Sequence, residues 1–445
     1  TTVWDMSKPT SRTNSPNTTI AFPGMGTNYK LYWENVNNPS QNDTVTVSSS
    51  NSGTPYILTV PVSGIYRIKV HKDAGVFYGF DHFASSYCDN QRLIRVEQWG
   101  TTKWSLLHDA FSGCKNMDIT ATDTPDLTGA AYIDLNRMFQ SCESLVNANG
   151  SMANWNTERV RSMYQMFISA ISFNVPIGNW NTQNVTNMDG TFYAAYSFNQ
   201  PLNWNTQNVT NMKGMFALAN SFNKPFGSNW NTQSVTNMSH MFGNATAFNQ
   251  DISSWNTQNV TEMVGMFSGA TSFDQPLGSI KINSVVSGVS RGMHYMLSNC
   301  GMSCENLSTT LDGWATQATA LGKNNVNLGD ITTVPNMYNE TGKAAINILK
   351  NNHNWTIIGG RFAPGCVSPD YYVSMWDMSQ PATTGTATNL VTNLWGSSFR
   401  VEWKNLDDGT EGNLPSATAT TAPLTITGLT PGKRYRVVAY PNNTP

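Results

Sequence analysis

The sequence has few charged residues, few cysteines and no long apolar run. Charged residues make up 12% of the 445 residues, and the formal net charge is -2. Nucleic acids and anionic membranes attract clustered lysine and arginine, so neither is expected as a partner. The six cysteines are too few for a disulfide scaffold, and their spacing predicts no zinc site. No apolar run approaches a membrane span, which argues against direct membrane insertion.

Motifs of catalysis and metal binding are missing as well. The six histidines are scattered, and HExxH, GxSxG and P-loop patterns do not occur. Acidic residues are sparse, and no loop has the ligand spacing of a calcium site. Asp81-His82 is a lone pair of the kind that usually decorates a surface. We therefore predict that the chain is not an enzyme, with no catalytic residue, no metal ligand and no cofactor.

Asparagine, threonine, serine and glycine are abundant, together with tryptophan and methionine. This polar, uncharged, aromatic-rich composition is typical of an extracellular repeat protein or β-rich protein. The first residues do not form a signal peptide, and the sequence stops within a polar stretch. We expect both ends to be cuts in a larger precursor that is displayed at the cell surface through segments outside this fragment.

A short repeat dominates the middle of the sequence. The tripeptide Trp-Asn-Thr recurs at Trp155, Trp180, Trp204, Trp230 and Trp255. Each repeat, here called a rung, continues with Val, Met, Met-Phe, Ala and Phe-Asn. The Phe of the Met-Phe step, here called the core aromatic position, aligns in eight rungs: Phe111, Phe139, Phe167, Phe192, Phe216, Phe242, Phe267 and finally Leu297. Three residues later every rung has alanine or cysteine, which indicates a crowded interior position.

One rung cannot bury its apolar residues alone, so the repeat predicts that the rungs stack. Stacking would form continuous interior columns of Trp, Val, Met, Phe and Ala, roughly 40 Å long at the strand spacing of ~4.8 Å. The expected fold is mainly β with short helices: a leucine-rich-repeat-like solenoid flanked by small β-sandwich modules. A column of asparagines should satisfy backbone groups between rungs. Its members are Asn174, Asn199, Asn223 and Asn249, with Asp274 last.

A second repeat is much longer. The segment WDMSKP from Trp4 returns as WDMSQP from Trp376, an offset of 372 residues. LYWEN around Trp33 likewise corresponds to VEWKN around Trp403, and alternating strands follow in both copies. The predicted domains are a β-sandwich-like module at 1–75, the repeat solenoid at 76–302, its C-terminal cap at 303–365 and a second β-sandwich-like module at 366–445.

Local signals add detail to the cap and to the cysteines. Ser308 is expected to begin one helix of the cap, and Asn339 a second. Cys114 and Cys142 are expected to be buried thiols on adjacent rungs. Cys304 is the cysteine expected to form a disulfide, with Cys366 or Cys300 as its partner.

The repeat resembles a known family. The segment HDAFSGCKNM (108–117) and the WNTxxVTxMxxMFxxAxxFNxP units are similar to the BspA-like surface proteins, whose 25-residue repeat is of the mycoplasma-lipoprotein type. The ending, from NLSTTLDGW (306–314) to WTIIGG (355–360), resembles flavobacterial members, although Asn339 stands where that form has cysteine. The resemblance implies surface display, adhesion and type IX secretion. The resemblance to giant family members with many tandem repeats implies a role in gliding motility.

Exposed positions of the rungs are the candidate ligand contacts. A polar row could bind polysaccharide or could simply keep the stack soluble; it comprises Gln183, Gln207, Gln233 and Gln258. Tyr164, Tyr193 and Tyr196 break the repeat rule and could stack on sugar rings. We expect weak, multivalent binding of glycans or solid surfaces, and contact with other cell-surface proteins of the same system. The alternatives are a glycan-binding module of a polysaccharide-processing protein and a structural filament subunit.

Overall fold

The computed structural model describes the chain except residues 11–15, 52–53, 72–74, 82–88, 334–336, 364–365, 367–371, 378–389, 392–395, 420–424, 427–428, 431–432 and 442–445. The chain divides into two compact units, Thr1–Phe362 and Ala363–Pro445. It is mainly β with few short helices, and no sheet closes into a barrel within the described ranges.

Most strands of the first unit lie before the cap. They are β1 (Thr2–Asp5), β2 (Thr19–Phe22), β3 (Gly24–Asn35), β4 (Asn38–Ser50), β5 (Tyr56–Thr59), β6 (Ile65–His71), β7 (Val76–Phe80), β8 (Leu93–Val96), β9 (Asp118–Ile119), β10 (Ile133–Asp134) and β11 (Val160–Ser162). Two short 3-10 turns span Asn90–Arg92 and Ser151–Asn154.

The cap and the second unit contain the remaining elements. The cap has α1 (Cys304–Leu321), β12 (Asn327–Asp330), β13 (Met337–Tyr338), α2 (Glu340–Asn347), a π turn (Ile348–Asn352), β14 (Thr356–Ile358) and β15 (Arg361–Phe362). The second unit has β16 (Tyr372–Asp377), β17 (Leu390–Val391), β18 (Gly396–Asn405), β19 (Glu411–Ala419), β20 (Thr425–Ile426) and β21 (Arg434–Pro441).

The N-terminal sheet runs further along the chain than the predicted module. Its strand order is β4-β3-β6-β1-β8-β9, with β7 paired to β3, while β2 and β5 form a separate pair. Strand β8 bonds to the edge of β1 that β6 leaves open, and β9 then pairs with β8 in parallel. The sheet therefore extends to Ile119, into the segment that the sequence assigned to the repeats from residue 76.

The second unit repeats the core of this sheet. Its strand order, β16-β21-β18-β19, corresponds strand by strand to β1-β6-β3-β4. In the first unit Trp33 meets the ring of Tyr66 edge-on at 5.7 Å, and in the second Trp403 meets Tyr435 at 5.6 Å. The β18–β19 hairpin turns through Gly409 at φ 80°, as the Asp-Asp-Gly sequence predicts.

Successive rungs lie directly against one another. The core aromatic rings from Phe111 to Phe267 stack with centroids 5.5 to 5.7 Å apart, and all are fully buried. Tryptophans Trp155, Trp180 and Trp204 stack in the same way. Trp230 is only partly buried; the rung before it has 26 residues, and Phe226 packs 4.4 Å from its ring.

Two polar columns connect the rungs, and the asparagine column was predicted. The Asn199 N–H donates to Asn174 Oδ1 at 2.9 Å, and the same bond recurs up to Ser303, which donates to Asp274 Oδ1 at 2.7 Å. The second column, not foreseen, consists of the threonines of Trp-Asn-Thr. The hydroxyl of buried Thr206, for example, donates to the Asn231 carbonyl of the next rung at 2.8 Å. Each column satisfies backbone groups at a turn, which is what stacking requires.

Two further columns adopt left-handed backbone conformations. The residues two before and two after the core aromatic position have φ between 51° and 76° in all eight rungs. Those before are Asp109, Arg137, Gln165, Gly190, Gly214, His240, Gly265 and Tyr295. Those after are Gly113, Ser141, Ser169, Ala194, Leu218, Asn244, Gly269 and Asn299. Such φ values are costly for most L-residues, and the N–H groups offset the cost by bonding to the next rung, as Leu218 does to the Gly243 carbonyl at 2.8 Å.

The first cap helix begins earlier than predicted. Its N-cap is Ser303, whose hydroxyl accepts the Asn306 N–H, and Glu305 lies in the first turn. The prediction of Ser308 was wrong, because Ser308 lies inside the helix, donates to the Cys304 carbonyl at 2.7 Å and accepts the Asn339 N–H. Asn339 itself caps α2 through its side chain, as predicted.

The cysteines agree with the prediction from the repeat. Cys114, Cys142 and Cys300 are buried thiols, and Cys304 and Cys366 are disulfide-bonded. The Cys142 thiol donates to the Phe111 carbonyl at 3.1 Å. Burial raises the pKa of the Cys300 thiol to about 11, so this group stays protonated and unreactive at neutral pH.

Candidate functional site

A groove crosses the outer surface of four consecutive rungs and is here called the Tyr193 groove. It encloses about 610 Å³. Its lining residues are Tyr164, Gln165, Ile168, Asp189, Gly190, Tyr193, Lys213, Gly214, Ala217, Leu218, His240, Gly243 and Asn244. These residues surround four core aromatic positions, so the buried columns fix the backbone beneath the groove.

The floor of the groove is formed by the residues two positions before the core aromatic position, whose backbone is left-handed. Gly190 and Gly214 occupy this column in two successive rungs, at φ 62° and 58°. Gln165 and His240 occupy it in the rungs on either side. Because glycine has no side chain, the floor is low at its centre and is closed at both ends by an amide and an imidazole.

One wall of the groove carries its ring. Tyr193 follows the core aromatic Phe192 by one residue, and its side chain is 38% exposed. The ring edge passes 3.7 Å from the point where a Cβ on Gly214 would lie. Tyr193 therefore leans over the glycine of the next rung, which leaves the ring accessible within the groove.

The other wall carries a row of unlike polar groups, three residues before the core aromatic position. Tyr164, Asp189 and Lys213 stand there in successive rungs. Asn211 donates to Asp189 Oδ2 at 3.3 Å. The Arg137 guanidinium lies 6.0 Å from the centre of the Tyr164 ring, so one side of that ring faces a cation.

Two ionisable groups of the groove, Asp189 and His240, have shifted pKa values. Burial raises the pKa of Asp189 above its usual value, against the opposing effects of the Asn211 hydrogen bond and the Lys213 charge. Burial, assisted by the nearby Lys213 ammonium, lowers the pKa of His240. Asp189 and Lys213 bring one carboxyl group and one amine to the groove, and the lowered pKa of His240 favours its neutral imidazole at neutral pH.

The candidate contacts from the sequence lie in different places. Tyr164 and Tyr193 line the groove, whereas Tyr196 is 44% exposed outside it. The glutamine row is exposed on another part of the rungs and does not line the groove. Its members are Gln183, Gln207, Gln233 and Gln258. Neighbouring asparagines accept the backbone N–H groups of this row, as Asn205 Oδ1 does for Gln207 at 3.1 Å, which leaves the side chains facing solvent.

Comparison with protein families finds one match. Residues 105–225 and 203–314 match a family described as Mycoplasma protein of unknown function, DUF285. The rungs are similar to this family. This family is related to the BspA-like repeat proteins of the mycoplasma type, in agreement with the resemblance of the motifs. No curated protein and no solved structure matches the chain.

Within the rungs, sequence reasoning missed the polar centre of the groove. Asp189, Lys213 and His240 lie at positions that vary from rung to rung and carry no motif of their own. A usable signal was the glycine that stands two before the core aromatic position in some rungs only, at Gly190, Gly214 and Gly265. At Gly265 the His240 ring lies 2.6 Å from the point where a Cβ would be, so that glycine is covered.

Among the described residues of both units, no group of three or more His, Cys, Asp or Glu is arranged to hold a metal ion. None of the helices described is both long enough and apolar enough to span a membrane. A second cavity of about 470 Å³ lies beside Trp99 and Trp104 and includes Thr1.

Proposed function

We propose that this chain is a repeat segment of a long, secreted cell-surface adhesin that provides reach and multivalent attachment to glycans or solid surfaces. In this proposal the DUF285 repeats form a leucine-rich-repeat-like solenoid, and the β-sheets of the two units belong to small β-sandwich modules. The flavobacterial form of the family, type IX secretion and gliding motility are part of the same proposal, on the strength of the cap motifs.

The observation that carries the proposal is the duplicated sheet core. The order β1-β6-β3-β4 returns as β16-β21-β18-β19 after a sequence offset of 372 residues. The register is also kept, since Trp4 pairs with Tyr66 and Trp376 with Tyr435. A chain that begins the same module again after its repeats is organised as a string of domains. Such strings gain reach and multivalency.

The surface of the rungs supports weak binding by each copy. Like residues stand in rows on the outside, while the interior columns are apolar and filled. Catalysis needs unlike groups that converge on one enclosed pocket. The Tyr193 groove does bring unlike groups together, but it is open along the surface and suits recognition of a ligand better than a reaction. Weak contacts of this kind become strong when many copies are engaged together.

The proposal predicts that adhesion rises steeply with copy number. Chains with one, two and four copies of the 372-residue unit would be compared on polysaccharide-coated and bare surfaces under flow. Because tethering raises the effective concentration of every later contact, the four-copy chain should be retained roughly 100-fold longer than the single copy.

Three outcomes would contradict this prediction. Equal retention of one and four copies would rule out multivalent attachment. Turnover of a glycoside substrate by the single copy would make the chain part of a polysaccharide-processing enzyme. Fibres formed by the isolated single copy, without surface retention, would favour a structural filament subunit.

A further inference from the structure

We propose that the Tyr193 groove is a binding site for a neutral saccharide that presents one ring face and a pair of adjacent hydroxyl groups. The inference rests on the proposed attachment function for its ligand class. It goes further by naming one surface, Gln165 to Asn244, as the site and by excluding acidic polysaccharides as the preferred ligand.

The low floor determines the shape of the ligand. Gly190 and Gly214 leave only backbone at the centre of the groove, and the backbone N–H groups there are occupied: Gly190 donates to the Lys213 carbonyl and Gly214 to the Ser239 carbonyl, both at 2.8 Å. A ligand lying on this floor must therefore be recognised by side chains from the walls and ends. The two glycine rungs, with Gln165 and His240 beyond them, span three rung steps, or roughly 14 Å at strand spacing. This length suits a short, flat oligosaccharide.

The Tyr193 ring supplies the apolar contact. No other aromatic ring packs against it among the described residues, in contrast to the stacked rings of the interior. An exposed ring on a fixed backbone is a platform that offers area at low entropic cost. The C–H face of a sugar ring can lie on such a platform while its hydroxyl groups point to the sides.

The polar wall supplies one acceptor and one donor, side by side. Asp189 uses only Oδ2 for the hydrogen bond from Asn211, and Oδ1 has no partner among the described residues. The Lys213 ammonium likewise makes no hydrogen bond or ion pair within the described part of the chain. A carboxylate accepts from one hydroxyl and an ammonium donates to the next, so the pair matches adjacent hydroxyl groups.

The charge balance favours a neutral ligand. One carboxylate and one ammonium cancel, and among the described residues that line the groove Lys213 is the only lysine or arginine. An acidic sugar placed on this wall would bring its carboxylate towards Asp189, and like charges at such a distance repel. At the two ends, Gln165 and His240 can each donate to and accept from further hydroxyl groups.

The test is a titration of the full chain with a panel of neutral hexose tetrasaccharides and one uronate tetrasaccharide, followed by NMR. At least one neutral tetrasaccharide should bind and transfer magnetisation to the tyrosine ring protons, and the uronate should bind more weakly. Tyr193→Ala and Asp189→Asn should each weaken binding about tenfold, from the loss of ring contact and of a charged hydrogen bond. The matched control is Tyr196→Ala, which removes an equally exposed ring three residues away but outside the groove.

Several results would overturn the site. They are no binding of any neutral tetrasaccharide, tighter binding of the uronate, or unchanged affinity in both groove variants while Tyr196→Ala loses binding. The unfolding midpoint of each variant shows whether a loss of binding comes from misfolding. Asp189→Asn keeps the shape of the side chain, so it tests the charged hydrogen bond independently of the ring contact. If tandem chains still adhere with Ala at position 193, the attachment function stands and the groove assignment falls. If the groove variants lose saccharide binding but tandem chains do not adhere, the groove assignment stands and the attachment function falls.

Discussion

Trp204→Ala is expected to lower the free energy of unfolding by ~3–5 kcal/mol. The Trp204 side chain is fully buried between the rungs, with its ring 6.5 Å from Trp180 and 5.8 Å from Phe192. Its indole N–H also donates to the Ile177 carbonyl at 2.9 Å. Alanine would leave a cavity in the column and remove the indole hydrogen bond to that carbonyl, and both effects destabilise the fold.

The control for this substitution lies three residues further along the same rung. Gln207 is exposed, so Gln207→Ala should change stability by no more than about 0.5 kcal/mol. Denaturant unfolding of the two variants and the parent chain gives the comparison. A loss of under about 1 kcal/mol for Trp204→Ala would refute the columnar packing of the rungs.

Asp89→Ala is expected to destabilise the N-terminal sheet by ~3–5 kcal/mol, because it leaves a buried guanidinium without its charge partner. The side chains of Asp89 and Arg92 are 0% and 1% exposed, and their charged groups lie 3.7 Å apart. Asp89 also accepts the Ala21 N–H at 2.8 Å, and Arg92 donates to the Thr19 carbonyl at 2.7 Å. The pair thus holds β2 in place through hydrogen bonds to its backbone.

A double-mutant cycle separates this pair from general loss of packing. Arg92→Met keeps much of the buried volume, so combining it with Asp89→Ala removes both charges together. The double variant should be more stable than Asp89→Ala alone, since no buried charge then remains unpaired. Additive losses in calorimetry or denaturant unfolding would mean that the two charges do not interact.

The sequence predicted those parts of the fold that repeat. Identical residues at one position of every rung lie against their own kind in the neighbouring rungs, which made the columns of Trp204 and Phe216 and the asparagine column predictable from spacing alone. The same reasoning explains why Cys114 and Cys142 are buried thiols. The 372-residue offset was equally readable, because Trp4 and Trp376 begin nearly identical hexapeptides.

The parts that could not be predicted depend on contacts without a periodic signal. Strand β8 pairs with β1 because β1 has an open edge, and no local sequence pattern in Leu93–Val96 indicates that pairing. The left-handed columns contain residues as different as Arg137 and Leu218, so composition does not reveal their backbone. The Tyr193 groove arises where those columns happen to carry glycine twice in succession, and its charged groups come from positions that vary between rungs.

The most direct measurement of multivalent attachment through the Tyr193 groove varies the number of unaltered grooves at constant chain length. Four-copy chains would carry Tyr193→Ala, by local numbering of each copy, in none, one, two, three or all four units. The retention time on a neutral polysaccharide surface under flow should fall steeply with each groove removed, by roughly fivefold per step, or roughly 100-fold from four grooves to one. A chain with four altered grooves that is retained as long as the unaltered chain would contradict attachment through the Tyr193 groove, because retention would then depend on other contacts of the chain.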